Sequence, residues 1–131
     1  MQDASNVSMT NWLVLTPVTR LAPPAFELLA QTTRTVIDLI HARVLADFPN
    51  LRIIVSHAAA TLPVIATRVD LFGAVANPGA PNRPSIRSSL SQMHYDLAGA
   101  PVDEQLGALL SVADQTHQHY GSDYPCIPES G

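Results

Sequence analysis

Cysteine is almost absent from this chain: Cys126 stands alone. It therefore has no internal disulfide partner, and a reducing compartment is the expectation. No histidine stands beside it in the manner of a Cys/His nucleophilic pair. Basic residues are also few, 7 Lys and Arg against 11 Asp and Glu for a formal charge of −4. They form no run, which argues against nucleic acid or an anionic membrane surface as partner. Long apolar stretches are missing, so no segment reads as a membrane span. Met1-Gln2-Asp3-Ala4-Ser5-Asn6 has neither the positive region nor the apolar core of a signal peptide. A cytoplasmic location is expected.

What is present is enough apolar material for one core, 47% of 131 residues, and so for a single domain across 1–131. Short apolar runs alternate with helical patterns. Strands are expected at Trp12–Leu15, Leu51–Ser56, Met93–Leu97 and, more weakly, His117–Tyr120. Between the first two, Phe26–Asp47 has a helical apolar face that includes Leu29, Val36, Ile37 and Ile40, with a break expected near Gln31-Thr32-Thr33. A helix over Leu62–Phe72 would start near Pro63 and stop at Gly73. Asn77-Pro78-Gly79-Ala80-Pro81-Asn82-Arg83-Pro84 reads as a loop, Ile86–Gln92 as a short helix and Asp103–Ala113 as a last amphipathic helix. This βαβ rhythm predicts an α/β fold with parallel strands.

Chemistry is expected where such strands end. Ligands gather outside the carboxyl ends of parallel strands, and Leu51-Arg52-Ile53-Ile54-Val55-Ser56 delivers His57 to that place. A second tip is His119-Tyr120-Gly121-Ser122-Asp123-Tyr124-Pro125. Imidazole is suited to proton transfer near neutral pH. Each candidate also has an ordinary role: Asp123 as a turn or helix cap, Arg68 as a solvated helix charge. Asp96, before Gly99, reads equally as a pocket carboxylate or a turn former. His41 lies in a helix and His94 begins a strand. His117 and His119 alternate onto one strand face, a pair able to bind metal but short of a third ligand.

The stretches Phe48-Pro49-Asn50-Leu51-Arg52-Ile53-Ile54-Val55-Ser56-His57, Leu62-Pro63, Arg68 and Gly121-Ser122-Asp123-Tyr124-Pro125 resemble the amidohydrolase-related decarboxylases. That family includes aminocarboxymuconate-semialdehyde, γ-resorcylate and 6-methylsalicylate decarboxylases. The similarity runs from about Thr32 to Pro125, roughly the C-terminal half of a (β/α)8 barrel, or its last four βα units. It implies His57 as catalytic acid/base, Asp123 as ligand of a divalent metal, zinc or manganese, and Arg68 as a contact to the substrate carboxylate of a neighbouring subunit. A homodimer, or pairing with a fuller chain, follows from that last role.

Departures from the pattern matter too. The family's His-x-His of the first strand has no counterpart, and Thr16 stands where a further histidine ligand is usual, a poor replacement for imidazole on zinc. Ala58-Ala59-Ala60 replaces a glycine-rich turn and lacks glycine's access to positive φ, so His57 is expected to be aimed differently. Thr116-His117-Gln118-His119-Tyr120 replaces an apolar strand.

The expected function is metal-dependent, non-oxidative decarboxylation of an aromatic or unsaturated carboxylic acid by a truncated chain of impaired activity. Alternatives are an amidohydrolase-type hydrolase of a lactone or amide, and a non-catalytic interaction partner. A half-barrel would also expose two open sheet edges and an apolar inner face, so dimerisation, aggregation or a compact open α/β sandwich is expected.

Overall fold

A computed structural model describes residues 23–79, 83–99 and 103–125. In chain order its elements are α1 (Pro23–His41), α2 (Val44–Asp47), β1 (Ile54–Val55), α3 (Leu62–Ala76), α4 (Ile86–Leu90), β2 (His94–Asp96), α5 (Asp103–Leu110) and β3 (Gln118–His119). The strands lie parallel in the order β1-β2-β3, with Ile54 opposite His94, Val55 opposite Tyr95, Tyr95 opposite Gln118 and Asp96 opposite His119. This is the α/β architecture of consecutive βα units of a (β/α)8 barrel. The strand expected at Trp12–Leu15, together with Thr16 and Cys126, lies outside the described residues.

Strand alternation sorts the sheet into two faces. Val55 and Tyr95 point into the core, where Val36, Ile40, Leu62, Ala66, Ile86, Leu90, Met93 and Leu109 join them. Burying each large apolar side chain contributes roughly 1.5–3 kcal/mol. Tyr95 is wholly buried, and its hydroxyl donates to the Leu90 carbonyl, giving its one polar atom a partner. Burial pushes that phenol far above its ordinary range. The opposite face carries Ile54, 61% exposed, with His94, Asp96 and His119. The inner face expected to be apolar is therefore largely polar among the described residues.

The sequence-based elements recur with shifted ends, and the shifts have local causes. No break occurs near Gln31-Thr32-Thr33, because the Thr33 hydroxyl donates to the Leu29 carbonyl one turn back (2.8 Å) and also meets Thr61 Oγ1 at 2.8 Å. The helix expected through Asp47 instead ends at His41, where Arg43 turns left-handed (φ 61°) before α2. Gly73 does not stop α3. An added Cβ there would lie 2.9 Å from Arg83 Nη1, so glycine makes room for the guanidinium while the helix continues to Ala76. Asn77 ends it, as the residue before Pro78 resists helical geometry.

The start of α4 is held from across the chain. The Asp70 carboxylate accepts from Ile86 N (2.7 Å), Ser85 Oγ (2.8 Å) and Arg87 N (3.2 Å), while Ser85 Oγ accepts from Ser88 N. An anion at these free amides satisfies donors the helix itself leaves open.

Candidate active site

Because the strands are parallel, the segments that follow them emerge on one edge. His57 follows β1, Ala98-Gly99 follow β2, and Gly121-Ser122-Asp123 follow β3. The structure thus puts His57 and Asp123 on the same edge, as the spacing of the motifs predicts for successive parallel strands.

His57 starts a run of left-handed backbone: φ is 54° at His57, 52° at Ala58, 63° at Ala59 and 56° at Ala60. Non-glycine residues resist this conformation by roughly 1 kcal/mol each. Two contacts over-determine the turn. Gln105 on α5 donates from Nε2 to the carbonyls of His57 (2.7 Å) and Ala60 (3.2 Å), and Thr61 N donates to Thr33 Oγ1 at 3.3 Å. Ala58 and Ala59 are fully buried, so only small side chains fit there. The expectation that alanine forfeits positive φ is corrected: the alanines adopt it and the tertiary contacts hold them there.

The His57 ring sits 3.2 Å from the Ala98 carbonyl through Nδ1. A carbonyl only accepts, so Nδ1 carries the proton and Nε2 is the atom left for proton exchange. Gly99 (φ 81°) packs against the same ring, where a Cβ would come within 2.6 Å of Nδ1. Asp96 ends β2 as a turn former, with Oδ1 accepting from Ala98 N at 2.7 Å, and its carboxylate abuts Gly121 beyond β3. A chain of contacts therefore links all three strand ends: His57 to Ala98-Gly99, Ala98 to Asp96, Asp96 to Gly121.

Asp123 stands two residues further on, left-handed (φ 54°) and half-buried, before a cis Tyr124-Pro125 bond. Among the described residues, no three His, Cys, Asp or Glu side chains are arranged to hold a metal. Arg68 does not join the strand-tip groups. It is exposed on α3, with Cζ 4.5 Å from the centroid of the Phe72 ring.

Sequence reasoning missed Gln105, whose position in an amphipathic helix carries no signal for a carbonyl clamp. It also missed the meeting of His94 with His117 and His119, since strand register and not spacing brings His94 beside the other two. His94 Nδ1 lies 2.9 Å from His119 Nε2, and the His94 and His117 rings stack at 4.3 Å.

Two predictions arise here. Ala60, at φ 56° and ψ −122°, occupies territory natural to glycine. Ala60→Gly is expected to raise stability by about 0.5–1 kcal/mol, read as a higher urea midpoint at unchanged slope. A lower midpoint would show the turn is unstrained.

The second concerns pH. Desolvation, then His117, His119 and Arg52, hold His94 below the ordinary imidazole range. The unfolded chain then takes up this proton at higher pH than the folded chain. The stability at stake is complete above the unfolded value of about 6.5 and falls as pH drops below it. Denaturant titrations from pH 8 to pH 5 should show this decline, flattened in His94→Gln; an equal slope in the variant contradicts it.

Residues 17–131 match the amidohydrolase family. The chain belongs to the amidohydrolase family. It is 32% identical over 115 residues to the decarboxylase yanB of Aspergillus niger, covering 84% of this chain and 31% of that protein. To the 6-methylsalicylic acid decarboxylase of Penicillium expansum it is 30% identical over 111 residues, covering 84% of this chain and 34% of the relative. This amidohydrolase chain thus spans about a third of the length of those relatives. Among solved structures it resembles an amidohydrolase II (TM-score 0.74, 26% identity, 87% of this chain and 37% of that one). It also shares the fold of a manganese-bound dihydroxybenzoic acid decarboxylase from Polaromonas (TM-score 0.69, 18% identity, 81% and 33%). No helix among the described residues is long and apolar enough to cross a membrane.

Proposed function

We propose that this amidohydrolase chain carries the proton-transfer part of a non-oxidative decarboxylase acting on an aromatic or unsaturated carboxylic acid of the 6-methylsalicylic type. The observation behind this reading is the His57 ring, tied through Nδ1 to the Ala98 carbonyl at a strand tip, with Nε2 left for the substrate. The decarboxylases at 30–32% identity support the reaction class.

In the step proposed, protonated His57 gives its Nε2 proton to the ring carbon bearing the carboxylate. The new C–H bond forms, the C–C bond to the carboxylate breaks, and its electron pair restores the aromatic system as carbon dioxide leaves. His57 ends neutral, and the Ala98 carbonyl keeps the ring oriented throughout.

A divalent metal, manganese or zinc, would polarise the substrate oxygens when bound. Asp123 is the ligand this chain offers. The described residues do not complete a site around it, so no step here runs through the ion. Arg68 is assigned to the substrate carboxylate of a second copy. In support, α3 presents Val64, Leu71, Phe72 and Val75 to solvent around it, an apolar face suited to a homodimer contact.

The test is carbon dioxide release and product mass with 6-methylsalicylic and dihydroxybenzoic acids, using metal-supplemented chain of known oligomeric state. Loss of carbon dioxide, slowed by about 10²-fold or more in His57→Asn, is expected. No release from any of these acids, a product heavier by water, or an unchanged His57→Asn rate would overturn the reading.

A further inference from the structure

Outside the strand-tip site, imidazoles gather at one place. His94 opens β2 and shares the sheet face of His119, while His117 immediately precedes β3. The side chains interlock: His94 Nδ1 lies 2.9 Å from His119 Nε2, and the ring centroids of His94 lie 4.3 Å from His117 and 5.1 Å from His119. His117 Nδ1 meets the Met93 carbonyl at 3.1 Å, leaving Nε2 unprotonated in the neutral ring. A ring N–H given to a backbone carbonyl is how imidazoles are oriented for metals.

We propose that His94 and His119 chelate a divalent transition-metal ion of the copper(II) or nickel(II) class on the open sheet face, between the first residue of β2 and the last of β3. Asp123, four residues beyond His119, is not one of the two ligands.

Ligand chemistry carries the choice of ion. His94 Nδ1 and His119 Nε2 share a hydrogen bond at 2.9 Å, which the ion replaces as the donor ring takes its other tautomer. Affinity of divalent first-row ions for imidazole nitrogen rises through nickel(II) to copper(II), and both accept tetragonal sites with few protein ligands. Water fills the remaining positions, in keeping with the absence of a three-ligand cage among the described residues.

Access favours the ion as well. A cleft of about 260 Å³ lined by Asn50, Arg52, Gln92, His94 and His117 opens beside the pair. Asp96 shares the face but is engaged with Ala98 N. Arg52 opposes a cation electrostatically, which keeps the affinity below that of a closed site.

The experiment titrates the whole chain with copper(II) alone at pH 7.5 and pH 5, followed by calorimetry and electron paramagnetic resonance. Hyperfine structure from at least two nitrogens is expected at pH 7.5, lost at pH 5. His119→Gln and His94→Gln should each weaken binding by about tenfold or more, with His41→Gln, an imidazole on α1, unchanged. Fewer than two coordinated nitrogens in the native chain overturns the proposal whether or not the variants fold. So does undiminished binding in folded His119→Gln, or loss in His41→Gln, which would move the ion away from the sheet.

Discussion

Gly121→Ala is expected to destabilise the chain by about 3 kcal/mol, from an overpacking cost of about 1–3 and a broken hydrogen bond to a carboxylate. The backbone at Gly121 is not left-handed, so conformational strain is not the cause. Space is the cause. An added Cβ would stand 2.0 Å from Asp96 Oδ1, 2.7 Å from its Cγ and 2.9 Å from Ala98 Cβ. The Asp96 side chain is short and its Oδ1 is held by Ala98 N at 2.7 Å. It yields only by releasing that amide, and with it the turn that carries Gly99 against His57. Urea unfolding measures the loss, as a midpoint lower by about 1–3 M for a slope of 1–3 kcal/mol/M. Pairing Gly121→Ala with Asp96→Ala supplies the decisive comparison: the double variant should lose less than the sum of the singles, because the first clash has gone. Strict additivity would mean the two residues do not touch.

Gly99→Ala follows, with an expected loss of about 2 kcal/mol, half from placing a Cβ at φ 81° and half from displacing the His57 ring. The Cβ would approach Nδ1 to 2.6 Å and Cε1 to 3.3 Å. An imidazole has two torsions and no slack, so it must rotate away and surrender the Ala98 carbonyl at 3.2 Å. The tautomer would then no longer be imposed by that acceptor. The readout is nuclear magnetic resonance of the His57 ring at fixed pH, where the nitrogen chemical shifts should move as the tautomers mix while those of His41 stay in place. If decarboxylation is present, misaiming by about 1 Å should slow it by about 10²-fold. His57 nitrogen shifts identical to those of the native chain would show that Gly99 does not position the ring.

These two glycines show where sequence reading stops. Both lie in segments the motifs single out, yet one is needed for space against Asp96 and the other for backbone conformation beside His57. Neither reason is visible without the neighbour. Gln105 is the same kind of case, since its partners, the carbonyls of His57 and Ala60, lie far away along the chain. Helix ends were misjudged for related reasons: Thr33 stays helical because Thr61 and the Leu29 carbonyl occupy its hydroxyl, and Gly73 is passed over because Arg83 fills the space it leaves.

Periodicity and punctuation by themselves determined the order of elements, the parallel α/β class and the arrival of His57 and Asp123 at strand ends. Those properties follow from which residues bury a face and which break it, both local to the chain. Tertiary structure alone decided the left-handed turn of alanines, the His57 tautomer, the separation of Arg68 from the strand tips and the meeting of His94 with His117 and His119. Each depends on a group distant in sequence that supplies a hydrogen bond, a wall or a register, and such partners leave no mark on the spacing of residues.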